Sequence, residues 1–250
     1  MDISIVIPVH DESESIPRLA QEVDAAFADS ARPWECVWVD DGSGDTTLAV
    51  LRDLHVRDPH HHQFVSLKRR TGQSAALSVG MRVCSGRLIA TLDGDLQNDP
   101  AELPRLIHML ERGNADMVTG VRMGRKDDWM RRISSRVANG FRNRITGDRI
   151  QDVGCSLRAF TRECVADVPV FNGMHRFLPT LVRMHGFAVV EVPVAHRPRR
   201  YGRTKYGVNN RLWRGIADCF AVWWMRARAV HPEIASSSLG ESQHERTGSL

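Results

Sequence analysis

The sequence predicts an α/β protein built on a mainly parallel β-sheet that is flanked by helices. Short apolar runs of β-prone residues alternate with stretches whose apolar residues recur at helical spacing, and this alternation continues past Leu110. Acidic residues lie at or just after the ends of three of the apolar runs, at the strand ends where open α/β sheets hold their ligands. Such alternation gives parallel strands joined by right-handed crossovers.

The first three strands are predicted at residues 3–9, 34–39 and 64–67. An amphipathic helix follows the first strand, with Ser13 as its predicted N-cap. A tight turn containing Asp40 and Asp41 leads from the second strand into another helix. The helix after the third strand, predicted at residues 72–83, carries small residues that should let it pack closely on the sheet. These are Ser74, Ala75, Ala76 and Gly80.

The fourth strand begins at Leu88 and ends in two carboxylates one residue apart, Asp93 and Asp95. Turn residues close it before a helix that is predicted to begin near Glu102. Both acids can turn towards one point, where two anions repel each other unless a cation lies between them. Oxygen ligands of this kind suit Mg²⁺ or Mn²⁺, which bind substrate phosphates together with one or two carboxylates. The alternative is a polar turn with two solvated acids.

A short strand at residues 117–121 is followed directly by Arg122, which opens an arginine-rich stretch that reaches Arg149. A solvated helix face is the usual explanation of such a run, although so many arginines also create a positive field. Further strands are predicted at residues 152–160 and 189–194, with a helix around 177–185 between them.

Three consecutive histidines, His60, His61 and His62, suggest a metal site at first sight. They follow Asp58 and Pro59, which predicts an exposed loop. Three adjacent side chains do not readily face one ion, so we do not expect a metal there.

The C-terminal part begins with a basic loop at residues 196–207 and continues into a helix at about 210–228. One side of this helix carries Leu212, Trp213, Ile216, Phe220, Trp223 and Trp224. The other side carries Arg211, Arg214, Asp218 and Arg226. The aromatic side is expected either to pack on the domain as its last core helix or to lie in a membrane interface.

Three regions follow from this pattern. A main domain is predicted at residues 1–208, and the amphipathic segment occupies residues 209–230. Residues 231–250 are polar and lack apolar periodicity, so they are predicted to be a disordered tail.

Composition narrows the classes of protein that fit. The formal charge of +4 and the isoelectric point of about 9.0 suit anionic ligands or an anionic membrane surface and do not require nucleic acid. Five cysteines, an odd number without close pairing, favour a reduced cytosolic chain. Neither a signal-like segment nor an apolar run long enough to span a bilayer is visible, so we expect a cytoplasmic protein.

Five segments taken together resemble the motifs of the family 2 glycosyltransferases. They are Pro8-Val-His-Asp-Glu12, Val39-Asp-Asp-Gly-Ser43, Gly72-Gln-Ser-Ala-Ala76, Asp93-Gly-Asp-Leu-Gln97 and Arg199-Arg-Tyr-Gly-Arg-Thr-Lys205. The set is most similar to the polyprenyl-phosphate (dolichol-phosphate) hexosyltransferases and extends over about residues 3–228. This resemblance implies a GT-A fold, Mg²⁺ or Mn²⁺, a nucleotide sugar such as GDP-mannose or UDP-glucose, and a polyprenyl phosphate lipid as acceptor.

The resemblance also implies roles for individual residues. The base and ribose of the donor would be lined by Pro8, His10, Glu12, Val39 and Asp41. The metal and the donor diphosphate would be held by Asp93, Asp95 and Gln97, with Gly94 between the two acids. The acceptor phosphate would be bound by Arg122, Arg131 and Ser135, and the basic loop would add Arg199 and Lys205 on the donor side. The implied catalytic residues are Asp93, Asp95 and Arg122.

Two positions depart from the family pattern. His10 stands where a tyrosine or similar residue is frequent, and Arg70-Thr71 stands before Gly72 where Asn and an aromatic residue are usual. These departures affect contacts with the donor base and the packing of a loop, and they leave the expected reaction class unchanged.

The implied reaction is chemically reasonable for these residues. Breaking a sugar–diphosphate bond creates negative charge on the leaving nucleoside diphosphate, which a metal and nearby cations stabilise. A phosphate monoester has a second pKa near ~6, so it is largely dianionic at neutral pH and needs no general base. Arginines would hold it in bidentate fashion. We therefore expect a single inverting displacement without a covalent enzyme intermediate.

Two other functions remain open at this point. A family 2 transferase that acts on a sugar hydroxyl needs a carboxylate base, and Asp152 is the acid in a plausible place. The processive Gln-x-x-Arg-Trp signature is not evident. A basic anion- or nucleic-acid-binding module without catalysis would set paired acids against phosphates, and no nucleic-acid motif is recognisable. We expect an enzyme peripherally associated with the inner face of the membrane and no nucleic-acid partner.

Overall fold

A computed structural model describes residues 1–113, 115–123, 140, 142–198 and 209–230, with the backbone alone for residues 209–214. The strands are β1 (Ile3–Val9), β2 (Trp34–Asp40), β3 (His62–Ser66), β4 (Leu88–Thr91), β5 (Met117–Arg122), β6 (Arg158–Thr161) and β7 (Val189–Val194). The helices are α1 (Ile16–Phe27), α2 (Thr47–Arg57), α3 (Gln73–Val83), α4 (Leu103–Glu111), α5 (Met174–Met184) and α6 (Asn209–Ala227). Short 3₁₀ turns lie at Pro100–Glu102 and Glu163–Val165, and residues 142–146 are also helical.

The strands form one sheet in the order β3-β2-β1-β4-β6-β5-β7. All neighbouring strands are parallel except at β6, which runs antiparallel to both β4 and β5. The predicted mainly parallel sheet is therefore confirmed. Because β6 is antiparallel and pairs Arg158 with Thr91, the chain that leads into β6 meets the carboxyl end of β4.

Two apolar layers cover the sheet. Side chains of β1, such as Ile5 and Ile7, pack under α1 and α4 on one face, whereas Val6 and Ile89 pack under α3, α5 and α6 on the other. Strands that are buried on both faces are typical of parallel sheets covered by helices. This arrangement leaves the strand ends of β1, β2 and β4 together at one edge of the sheet.

Helix α3 packs directly on β1 and β2, as its small residues predict. Ser74, Ala76 and Gly80 are buried, and Ala75 is half-buried. A Cβ atom at Gly80 would lie 2.3 Å from Val6 Cγ1, so a larger residue there would push the helix off the sheet. The close packing brings the N-terminus of α3 to the strand ends.

Three local predictions need correction. The third strand begins at His62 and not at Phe64, and Ser13 does not cap α1, because its hydroxyl donates to Asp45 Oδ2 over 2.8 Å and the cap position is Ser15. The strand predicted at residues 152–160 begins only at Arg158. The residues before it form a turn, in which Cys155 N donates to the carbonyl of Asp152 over 3.3 Å, and their apolar pattern belongs to a buried loop.

The histidine run also differs from the prediction. His60 is exposed, but His62 has only 1% of its surface exposed because Trp38 Nε1 donates to its Nδ1 over 3.1 Å and its Nε2 lies 3.0 Å from Asp24 Oδ1. His61 stacks on Trp34 with ring centroids 4.3 Å apart. The expectation of an exposed loop is therefore wrong for His62, whose imidazole is a satisfied core group.

Helix α6 packs on the domain through a side that carries Cys219 and Val222 and does not include its exposed aromatic residues. Cys219 and Val222 are buried against the layer of α3 and α5, and Arg226 Nη1 donates to the Thr146 carbonyl over 2.6 Å. The large apolar residues on the other side remain half-exposed: Phe220 at 52%, Trp223 at 51% and Trp224 at 58%. For these three residues the alternative of a core-packed aromatic face is wrong, and the side chain of Trp213 lies outside the described residues.

Within the described ranges, no helix combines the length and the apolar character that crossing a bilayer requires.

Candidate active site

The loops that follow β1 and β2 are joined to each other by hydrogen bonds. Ser43 Oγ accepts from the backbone N–H of Asp11 over 2.9 Å, and Asp11 Oδ1 accepts from Gly44 N over 2.8 Å. His10 Nδ1 lies 3.0 Å from the carbonyl of Asp41, and Glu12 N donates to Thr47 Oγ1 over 2.9 Å. The residues that the sequence assigns to the donor base and ribose are thus neighbours.

The strand residues of the same predicted pocket are also adjacent, since Pro8 of β1 pairs in register with Val39 of β2. Gly42 closes this corner with a positive φ of 63°. A Cβ atom there would lie 2.4 Å from the carbonyl carbon of Arg69, so glycine is required for the turn to pack against the chain leading into α3.

Asp40 and Asp41 are both buried and both bind loop groups. Asp41 accepts from the backbone N–H groups of Thr71 and Gly72 over 2.6 and 2.7 Å. Asp40 Oδ2 accepts from Ser66 Oγ over 2.7 Å. Asp41 therefore fixes the start of α3 beside the strand ends, a role that sequence reasoning missed. Its contact with a nucleotide stays a prediction.

The two acids of the fourth strand end lie in a tight turn after β4. Gly94 between them packs against β1, where a Cβ atom would lie 2.7 Å from Val9 Cγ1. Asp93 Oδ1 accepts from Gln73 Nε2 over 2.7 Å, and Asp95 Oδ1 accepts from Gln97 N over 3.1 Å. Burial, followed by the negative charge of Asp95, raises the pKa of Asp93 to about 6. The two carboxylates are therefore close enough to repel each other.

This donor set fits a divalent cation with a preference for oxygen ligands. Two coupled carboxylates gain most from a positive charge placed between them. Across the described part of the chain, no group of three or more His, Cys, Asp or Glu side chains is arranged to hold a metal. An ion at Asp93 and Asp95 would therefore need further oxygen atoms from Gln97, from water or from the phosphates of a ligand, which is usual for Mg²⁺.

Arg122 and Asp152 form a bidentate ion pair at the end of β5. Arg122 Nε and Nη2 each donate to a different carboxylate oxygen of Asp152 over 2.7 Å. Although burial works against the charged guanidinium, its bonds to Asp152 raise the pKa of Arg122. Gly154 leaves room for this pair, because a Cβ atom there would lie 2.6 Å from Arg122 Nη2. Both carboxylate oxygens of Asp152 are thus bound by Arg122, which weakens the case for Asp152 as a general base.

Three further residues that surround Asp93 were not assigned from the sequence. Gln73 binds it from α3, and Ser156 hydrogen-bonds to it from the loop before β6 while also accepting from Asn98 Nδ2 over 2.7 Å. Arg158 is almost completely buried in β6, and its charge interacts with that of Asp93. Only Gln73 had a signal in the sequence, because it lies inside one of the family-like motifs.

The chain that enters the basic loop is fixed beside the aspartate turn. His196 forms an antiparallel bridge with Asn98, and Arg197 N donates to the carbonyl of Gln97 over 2.9 Å. The side chain of Arg197 forms ion pairs with Glu22 and Asp99, both at 2.6 Å. Four predicted site residues lie outside the described residues, namely Arg131, Ser135, Arg199 and Lys205.

Comparison with known protein families gives a match to the model described as glycosyl transferase family 2, over residues 4–168. The chain belongs to glycosyltransferase family 2. The resemblance inferred from its motifs is thereby confirmed, and the match includes the loops after β1, β2 and β4.

Two curated relatives within this family are polyprenyl-phosphate sugar transferases by name. The chain is 37% identical over 243 residues to dodecaprenyl-phosphate galacturonate synthase of Rhizobium johnstonii, covering 96% of this chain and 72% of the relative. It is 34% identical over 236 residues to undecaprenyl-phosphate 4-deoxy-4-formamido-L-arabinose transferase of Edwardsiella ictaluri, covering 94% of this chain and 72% of the relative.

Solved structures confirm the expected GT-A fold. Glucosyl-3-phosphoglycerate synthase of Mycobacterium tuberculosis, solved with Mn²⁺, UDP-glucose and phosphoglyceric acid, superposes with a TM-score of 0.65 at 19% identity. The match covers 92% of this family 2 chain and 81% of the solved chain. At this level of identity the likeness establishes the fold of the domain.

Proposed function

We propose that this family 2 glycosyltransferase transfers a sugar from a nucleotide sugar to a polyprenyl phosphate and thereby makes a lipid-phosphate sugar for glycan assembly. The geometric observation that carries the proposal is the Asp93–Asp95 turn, which lies between the loops of β1 and β2 and the Arg122–Asp152 pair. Both curated relatives are named for a polyprenyl phosphate and a sugar, which supports this class of acceptor.

In this proposal, different residues at the strand ends bind different parts of the donor. His10, Glu12 and Asp41 would hold the base and ribose, and Asp93, Asp95 and Gln97 would hold Mg²⁺ or Mn²⁺ against the diphosphate. The bound cation supplies Lewis-acid stabilisation of the leaving nucleoside diphosphate.

Arg122 would orient the acceptor phosphate, together with the proposed contacts Arg131 and Ser135. Its pair with Asp152 uses the Nε–H and one Nη2 hydrogen, and among the described residues no side-chain bond of Arg122 uses the other guanidinium hydrogens, which could donate to a phosphate. The dianionic acceptor attacks the anomeric carbon as the bond to the diphosphate breaks, with inversion and without a protein base. The basic loop of Arg199 and Lys205 would stabilise the departing charge.

Which sugar and which nucleotide the donor carries is a more specific part of the proposal. GDP-mannose and UDP-glucose are compatible with the motifs, whereas the curated relatives are named for galacturonate and 4-deoxy-4-formamido-L-arabinose. Neutral hexoses and modified sugars therefore both belong in the set of donors to be tested. If GDP-mannose is the donor that reacts, the enzyme is a mannosyltransferase similar to the dolichyl-phosphate mannosyltransferases.

We further propose that the enzyme works as a peripheral protein at the inner face of the membrane. The isoprenoid tail of the acceptor leaves the bilayer at a cost of roughly 0.8 kcal/mol for each CH₂, so the enzyme has to approach the lipid. Helix α6 carries Phe220, Trp223 and Trp224 half-exposed on one side, which suits an interfacial helix.

The test is a transfer assay with the purified chain, Mn²⁺, a panel of UDP- and GDP-sugars, and an undecaprenyl phosphate acceptor in detergent. We expect a lipid-linked sugar phosphate and free nucleoside diphosphate, and we expect both to disappear on addition of EDTA. Transfer to a sugar hydroxyl with no transfer to the lipid phosphate would favour the alternative function. Thermal-shift measurements with GDP, UDP and their sugars identify the nucleotide, because a ligand that binds only the native state raises the melting temperature.

A further inference from the structure

Arg158 is a buried arginine whose charge has no direct carboxylate partner in the described part of the chain. Its side chain is 2% exposed. Nη1 donates to the carbonyl of His175 over 2.7 Å and Nη2 to the carbonyl of Val153 over 3.2 Å. Nε has no hydrogen-bond partner among the described residues. Backbone carbonyls hold the guanidinium in place but leave its positive charge uncompensated.

The register of β6 places the charge of Arg158 close to Asp93. Arg158 pairs with Thr91, the last residue of β4, so it lies beside the strand end from which Asp93 follows. Ser156, two residues earlier, hydrogen-bonds to Asp93, and its carbonyl accepts from Thr91 Oγ1 over 2.7 Å. Beyond the paired residues of β4 and β6, the bonds of Ser156 to Thr91 and to Asp93 therefore continue the contact between the two chain segments. Burial lowers the pKa of Arg158, and the charges of Asp93 and Asp152 oppose this effect.

The neighbouring arginine is in a different electrostatic situation. Arg122 is neutralised by its bidentate pair with Asp152, whereas Arg158 donates to neutral carbonyls. Both guanidinium groups act on Asp93, and Arg158 is the one that no carboxylate among the described residues pairs with directly.

We propose that Arg158 is a positioning residue that acts as a fixed counter-charge behind Asp93 and Asp95, holding the pair ready in the absence of a metal and limiting how tightly the pair binds one. The inference rests on the proposed metal role of the two acids. A site that binds its cation together with the donor and releases it with the diphosphate benefits from such a charge, because two carboxylates with no cation between them repel each other between turnovers. The cost is repulsion between the guanidinium and the bound divalent cation.

This electrostatic role and a purely structural role predict opposite changes in metal affinity. If Arg158 only anchors the carbonyls of Val153 and His175, its replacement loosens the loop that carries Ser156, and Mn²⁺ binding becomes weaker. If its charge opposes the cation, removal of the charge makes Mn²⁺ bind more tightly, whereas Arg158→Lys keeps the charge and leaves the affinity near that of the wild type.

The experiment is a titration of the full chain with Mn²⁺ alone, followed by the electron paramagnetic resonance signal of the free ion, at about pH 8 where carboxylates are ionised. The charge-removing variants are Arg158→Gln, which can still donate to a carbonyl, and Arg158→Met, which keeps an apolar stem of similar length. Arg162→Gln is the matched control, because Arg162 follows β6 at the far end of the strand and likewise donates to backbone carbonyls, those of Met81, Cys84 and Gly86.

We expect Arg158→Gln or Arg158→Met to lower the Kd for Mn²⁺ by roughly tenfold, with Arg158→Lys and Arg162→Gln within about twofold of the wild type. Unchanged or weaker Mn²⁺ binding in folded charge-removing variants overturns the inference while the metal site stands. If the wild type binds Mn²⁺ neither alone nor with UDP or GDP present, or if Asp95→Asn binds it equally well, the metal site itself is wrong and the inference falls with it. Melting temperatures identify the variants that remain folded. Arg158→Gln and Arg158→Met test the loss of the charge independently of each other, so the inference can be tested if one of them does not fold.

Discussion

Asp95 belongs to neither apolar layer of the domain, and its half-buried carboxylate lies in the turn after β4. We predict that Asp95→Ala lowers the turnover number by about a thousandfold or more, because it removes a proposed metal ligand from the place where negative charge would develop in the transition state. The circular dichroism spectrum should be unchanged, since little packing is removed. Steady-state kinetics of lipid-phosphate transfer provide the measurement.

The control for Asp95→Ala is Asp53→Ala, which removes an exposed carboxylate paired with Arg57 on α2. This variant should keep the activity of the wild type, because exposed ion pairs within a helix contribute little. A folded Asp95→Ala enzyme with near-normal turnover would refute the assignment of the metal ligands.

Helix α6 presents aromatic side chains outward while Cys219 and Val222 attach it to the domain. We predict that the protein floats with anionic liposomes and that added salt weakens this binding, since arginines near the aromatic residues meet charged headgroups. The double variant Trp223→Ser/Trp224→Ser should bind less while remaining folded, because neither indole is part of an apolar layer. Flotation in a density gradient measures the bound fraction.

Val56→Ser is the matched control for the tryptophan variant, since Val56 is an exposed apolar residue on α2. It should leave liposome binding unchanged if the effect belongs to the surface of α6. A wild-type protein that stays wholly in the soluble fraction at low salt would mean that the aromatic side of α6 does not contact lipid.

Stability of the whole domain should depend on pH through His175 at the start of α5. Its Nδ1 lies 2.8 Å from Ser74 Oγ of α3, and burial, followed by the charges of Arg176 and Arg158, lowers its pKa to about 3. The unfolded chain takes up this proton near ~6.5, so it binds more protons than the folded chain between the two values. The contribution of His175 to stability is therefore complete above about pH 6.5 and is lost as the pH falls towards 3.

We predict that the free energy of unfolding of the wild type falls on acidification by up to about 1.4 kcal/mol per pH unit from this one group. His175→Gln should flatten the dependence between pH 6 and pH 4, and the surface variant His60→Gln serves as control. Denaturant titrations at several pH values measure the free energy of unfolding of each variant. Equal slopes in the wild type and His175→Gln would show that the imidazole takes up its proton without unfolding the domain.

The sequence by itself determined those features of this protein that depend on residues close to one another along the chain. Apolar runs, turn residues and helical spacing are local patterns, so they predicted the parallel strands, the helices between them and the position of Asp93 and Asp95 at a strand end. The motifs led to the family for the same reason, because each motif is a short segment. The loops after β1 and β2 came together as expected, since parallel strands place their carboxyl ends at one edge of the sheet.

Only the tertiary structure decided which distant residues meet. The antiparallel insertion of β6 brings Ser156 and Arg158 to Asp93, and Arg122 pairs with an acid from another loop. His62 became buried because Trp38 and Asp24 satisfy its two nitrogens, although its local sequence is that of a loop. Helix α6 exposes its most apolar side because its attachment uses Cys219, Val222 and Arg226. Periodicity reveals that a helix has two different sides, and the surface available for packing determines which side the domain covers.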